Sequence, residues 1–157
     1  MASGFIIFKD GRCFARRWTT YDEIIRIAVC ELELIENGQD LADWLKLQIP
    51  GPEDDENADA GWGFHNSRIN EWINRELDLR SLTPENQVLF WEAIQRGKIN
   101  LLEKGDEYSP LSPDLFNVFY EMFDRAEKGE PPMELTDWNK LADPCTEKNG
   151  PGWDNKK

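Results

Sequence analysis

The stretch GFIIFKDGRCFARRW, residues 4–18, carries two β-prone runs on either side of Asp10-Gly11. An Asp-Gly pair suits a tight turn with positive φ, so the pattern predicts a β-hairpin. Its second run alternates: Arg12, Phe14 and Arg16 face one way, and Cys13, Ala15 and Arg17 the other. The alternation is imperfect, which predicts that one face is only partly buried. Lys9, Arg12, Arg16 and Arg17 against Asp10 make this hairpin the basic patch of the chain.

From there the apolar spacing turns helical. Thr20 and Glu23 stand at capping-box spacing, and Ile24, Ile25, Ile27, Ala28, Leu32 and Ile35 follow as a broad stripe that Asn37-Gly38 ends. DLADWLKLQI predicts a short helix capped by Asp40 and stopped by Pro50. In NSRINEWINRELDL, the positions of Ile69, Trp72, Ile73 and Leu77 predict a further helix. Thr83-Pro84 and Ser112-Pro113 each read as an N-cap followed by proline at the first helical position, with Gly97 and Gly129 as the matching stops. The second of these helices has Leu115, Phe119, Met122 and Ala126 in one stripe and Phe116, Tyr120 and Phe123 beside it. Such a wide apolar face predicts a central helix with several neighbours. TDWNKLA can add a last turn.

The expected fold is α+β and mainly helical, an N-terminal β-hairpin packed on a bundle of about four to five helices. Residues 1–143 form one globular domain that includes an acidic loop at 50–66, and 144–157 form a flexible C-terminal tail rich in glycine and proline. Seven Trp and eight Phe supply enough apolar material for a core despite the high charge.

That charge narrows the function. Thirty-one acidic residues against 18 basic ones leave a net −13, which opposes direct binding to nucleic acid or to an anionic membrane. The start of the chain has only four apolar residues in a row before Lys9, short of a secretory signal, and no run is long enough to span a membrane. Cys13, Cys30 and Cys145 are widely spaced, with neither CxxC nor zinc-ligand spacing. Reduced thiols in the cytoplasm are expected, with Cys13 and Cys30 as small buried apolar groups.

The motifs of common enzymes do not occur: no phosphate loop, GxGxxG, GxSxG or HExxH is present. His65 is the one histidine, so any histidine-based site must use it, and its Gly-Trp-Gly-Phe setting offers little rigid support. No catalytic residue, cofactor or metal is assigned. A paired-carboxylate or metal-dependent enzyme is one alternative, since acids abound; an adaptor subunit of a larger assembly is another.

The segment PGPEDDENADAGWGFHN is the strongest local feature. It places Glu53, Asp54, Asp55, Glu56 and Asp59 together, with no Lys or Arg between Lys46 and Arg68, and Trp62 and Phe64 follow. Such carboxylates repel one another, and a Lys/Arg-rich partner would relieve that repulsion. Trp62 and Phe64 could then anchor the partner, or could instead pin the loop to the core. From Gly105 to Asp143, ten acids against three bases give a second acidic region, which includes Asp114, Glu121, Asp124 and Glu127. If the two regions meet, they form one negative face opposed to the basic hairpin. The expected function is that of a small acidic intracellular protein that neutralises a basic protein partner. The class is an immunity or antitoxin-type inhibitor of a toxin enzyme such as a nuclease, by occlusion or by nucleic-acid mimicry.

Overall fold

The computed structural model describes residues 3–51 and 63–131. Strands β1 (Ser3–Ile7) and β2 (Cys13–Arg17) form the expected hairpin, antiparallel in the register Ile7↔Cys13. Gly11 takes φ 94 in the turn, as its place after Asp10 predicts. Helices α1 (Trp18–Leu32), α2 (Gln39–Lys46), α3 (Pro84–Lys104) and α4 (Pro113–Lys128) make up the helical core. The fold is therefore α+β, mostly helical, with an N-terminal hairpin on four helices.

The hairpin lies on α1. A Cβ at Gly4 would stand 2.3 Å from the Cβ of Tyr21, so the glycine permits that contact. Ile24, Ala28 and Leu32 are all buried. On the same side of the sheet, Phe8 and Phe14 meet α4: Phe14 packs edge-on to Phe119 at 5.2 Å, and Phe8 lies 5.2 Å from Phe123. Phe123 also contacts Trp91 of α3 at 4.4 Å, which makes α4 the aromatic centre that its broad stripe predicted. The other side of the hairpin is buried too, with Phe5, Ile7, Cys13 and Ala15 in a separate cluster. The burial is incomplete, as the imperfect alternation predicts: Arg12 and Arg16 are half-buried and Arg17 is exposed. Cys13 is disulfide-bonded and Cys30 is free and exposed, so neither is the reduced, buried thiol expected of it.

The predicted helix over NSRINEWINRELDL is absent. Strands β3 (Gly63–Asn66) and β4 (Glu71–Asn74) form a second antiparallel hairpin there. Strand β5 (Glu76–Asp78) then joins β1 in parallel, giving the order β2-β1-β5. The turn is built by asparagines: Asn66 Oδ1 accepts from the Arg68 N–H at 3.0 Å, and Asn70 adopts φ 55. In this segment Arg75, Leu77 and Leu79 are buried at a spacing of two.

Several helix boundaries also differ from expectation: α1 ends at Leu32, before Asn37-Gly38, and α2 is preceded by Gly38, so Asp40 lies inside it and does not cap it. Helix α1 starts at Trp18 with no side-chain cap, so Thr20 and Glu23 lie inside it and form no capping box. Helix α3 runs through Gly97 to Lys104, because Gly97 serves packing. A Cβ there would lie 2.5 Å from Cγ2 of Ile27, where α1 and α3 approach. The two hydroxyl caps hold: Thr83 accepts from Asn86 N–H at 3.1 Å, and Ser112 from Leu115 N–H at 3.4 Å. Gly129 ends α4 at φ 70.

Candidate functional site

Among the expected partner-binding residues, Glu53, Asp54, Asp55, Glu56, Asp59 and Trp62 lie outside the described residues, as does TDWNKLA. Phe64 is 1% exposed and forms part of the interior, so the packing role applies to it and the anchor role does not. On α4, Asp114 and Glu121 are exposed, and among the described residues neither has an ion-pair partner. Asp124 is held by Lys128 at 2.9 Å, and Glu127 by Lys9 at 3.5 Å. The Lys9 pair sets the acidic end of α4 beside the basic hairpin, not opposite it. Arg12 strengthens that junction by donating to the Glu130 carbonyl at 2.5 Å and pairing with Asp10 through Nε at 2.6 Å. Two cations of the basic patch, Lys9 and Arg12, are thus engaged in internal contacts.

The most unusual electrostatics lie at the start of α1. Arg75, delivered by the chain between β4 and β5, donates from Nε to Asp22 Oδ1 at 3.3 Å. Both side chains are buried, at 3% and 1% exposure. The guanidinium sits 4.7 Å from the Trp18 ring centre and 5.2 Å from that of Phe64, so two π faces share its charge. Asp22 Oδ2, Arg75 Nη1 and Tyr21 Oη are buried, and among the described residues none has a hydrogen-bond partner. Burial pushes the Asp22 carboxyl up to about 6, against the lowering pull of Arg75. Burial, with the neighbouring Asp22 charge second, also holds the Tyr21 hydroxyl well above its ordinary range.

A cleft of about 340 Å³ opens beside this pair, lined by Trp18, Thr19, Asp22, Glu23 and Arg26 of α1 and closed by Pro50, Pro110 and Leu111. Glu23 spans its wall, accepting from Ser109 Oγ at 2.9 Å and facing Arg26 at 3.5 Å. Asp22 and Arg75 gave no signal as a site in the sequence. A buried pair 53 positions apart shows only once strand β5 is placed.

A second buried carboxylate, Glu31, ties α1 to α3. It accepts from Asn100 Nδ2 at 2.7 Å and from Tyr108 Oη at 2.6 Å, and Arg96 stands 3.4 Å from its other oxygen. Burial, followed by the hydrogen bond to Glu31, raises the Tyr108 hydroxyl far above its usual range. Among the described residues Glu31 Oε1 has no hydrogen-bond partner, and none of these groups lines the α1 cleft.

His65 lies on β3, its Nε2 3.2 Å from Asn70 Oδ1 and its ring edge-on to Trp72 at 5.5 Å. Trp72 is 67% exposed. Among the described residues no cluster of three or more His, Cys, Asp or Glu side chains could hold a metal, and no helix is long and apolar enough to cross a membrane. No protein-family model, curated protein or solved structure matches the chain.

Proposed function

We propose that this protein binds and neutralises a basic protein partner, in the manner of an immunity or antitoxin-type inhibitor whose target is a toxin enzyme such as a nuclease. The observation that carries the reading is the net charge of −13, with five carboxylates gathered in residues 53–59. Asp114 and Glu121 support it as exposed acids on one outer stripe of α4. A field of that sign draws in a cationic protein and repels nucleic acid and anionic lipid. The action is placed in the cytoplasm. The disulfide at Cys13 pulls the other way, because disulfides persist mainly in oxidising compartments. The redox state of Cys13 in protein drawn from cells decides that point.

The test is co-purification from native cells at low salt, followed by binding kinetics with the captured partner. Association should slow steeply as salt rises, and Asp54→Asn, Asp55→Asn and Glu56→Gln together should slow it and flatten the dependence. Asp114→Asn with Glu121→Gln should act in the same direction. A captured partner whose association ignores both salt and all five substitutions would end this reading.

A further inference from the structure

We propose that the cleft at the start of α1 is a socket for a single guanidinium or ammonium group, carried on a Lys or Arg side chain of the basic partner. This rests on the neutralising role above and gives it a place on the fold. Three features of the cleft support it.

The first is an uncommitted acceptor. Asp22 lines the cleft with its side chain 1% exposed, and while Oδ1 is held by Arg75, Oδ2 has no partner among the described residues. A buried carboxylate oxygen without a donor is costly, and an arriving cation supplies one.

The second is a carboxylate that is easily re-paired. Glu23 meets Arg26 only at 3.5 Å, and the Arg26 side chain is half exposed, so it can swing into water when another cation takes its place. Ser109 keeps Glu23 oriented meanwhile. An anion entering the cleft would be opposed by both Asp22 and Glu23.

The third is shape. A volume of about 340 Å³ suits one long side chain. Pro50, Pro110 and Leu111 offer apolar walls for a methylene stem, the arrangement by which Lys and Arg bury their stems while the charged head finds its acceptors.

The probe is N-acetyl-arginine methylamide, titrated into the isotope-labelled full chain and followed by NMR. Saturable shifts are expected at the Trp18 indole N–H and the Thr19 and Thr20 amides, with none from the norleucine analogue. Glu23→Gln should weaken the probe by about tenfold, the loss of one charged hydrogen bond. Asp22→Asn should weaken it as well, and Glu23→Gln serves alone should that variant fail to fold. Absence of saturation, equal shifts from norleucine, or unchanged affinity in Glu23→Gln would overturn the socket. Tighter binding of free spermidine than of the arginine derivative would overturn its assignment to a protein side chain. The probe needs no partner. Saturation without any basic protein captured from cells would leave the socket standing and remove the neutralising role. Capture of a partner indifferent to Glu23→Gln, with no response to the probe, would do the reverse.

Discussion

Arg75 and Asp22 are paired at 3.3 Å, yet the two partners depend on each other unequally. The guanidinium has the rings of Trp18 and Phe64 to share its charge, whereas the carboxylate has Arg75 at one oxygen and no partner among the described residues at the other. Removing the cation strands a buried anion. Arg75→Met should therefore cost about 3–5 kcal/mol at neutral pH, and Asp22→Asn clearly less, since asparagine mimics the protonated acid. The double variant Asp22→Asn/Arg75→Met should recover part of the loss. Urea unfolding of the four proteins measures this; equal costs for the two single variants would show a symmetric pair instead.

The same carboxylate sets a pH dependence. Asp22 titrates near 6 in the fold against an ordinary value of 3.8. Between those values the folded protein holds a proton that the unfolded chain has released, so this group's contribution to stability falls as pH rises from about 4 to about 6 and is flat outside that window. The full effect is up to about 3 kcal/mol. The stability of the natural chain minus that of Asp22→Asn isolates it, and this difference should shrink across the window. A difference that grows with pH would mean that the pull of Arg75 prevails over burial.

Tyr108 and Asn100 share one oxygen of Glu31. Tyr108→Phe should cost about 1–3 kcal/mol, the range for a hydrogen bond to a buried charge. Combined with Asn100→Ala, the loss should depart from additivity by at least about 0.5 kcal/mol, because both donors serve the same carboxylate. A double-mutant cycle by thermal or urea unfolding gives the number, and strict additivity would show two independent contacts.

Gly97→Ala inverts the usual helical rule. Alanine is favoured over glycine in a helix interior by about 1 kcal/mol. Here the new methyl meets Ile27 Cγ2, which branches at Cβ and has little room to turn away. Overpacking of about 1–3 kcal/mol should exceed the gain and leave the variant destabilised. Ile27→Ala should cost less in the Gly97→Ala background than alone. A stabilised Gly97→Ala would show that α1 and α3 can part at no cost.

Much of the fold was legible because its signals are local. Asp10-Gly11, Thr83-Pro84, Ser112-Pro113 and Gly129 each act within a few residues, and each stands where it was read. The segment from Asn66 to Leu79 misled for a physical reason. Its strand phase runs through Arg75, and an arginine at a buried position erases the alternation that would have announced the strand. Asp22, from a distant helix, and the rings of Trp18 and Phe64 make that burial tolerable. Gly97 failed as a stop for a related reason, since its role is set by Ile27 across the helix interface. The candidate site was less legible still. Exposed acids such as Asp114 and Glu121 could be expected from charge alone, whereas the Asp22 cleft is assembled from α1, Pro50 and the approach to α4.

The contacts of Phe8 and Phe14 with α4 also dictate an order of assembly. The hairpin leaves the ribosome before α4, yet its aromatic face closes on Phe119 and Phe123, which are made far later. Strand β1 must likewise wait for Glu76 before its second edge is paired. Contacts so distant along the chain carry their loop-closure cost before any packing repays it, which slows folding relative to a bundle of neighbouring helices. A nascent chain that stops short of α4 keeps Phe8, Phe14 and Phe90 in water, ready to associate with other chains. Helix α4 is what makes strands β1 and β2 safe.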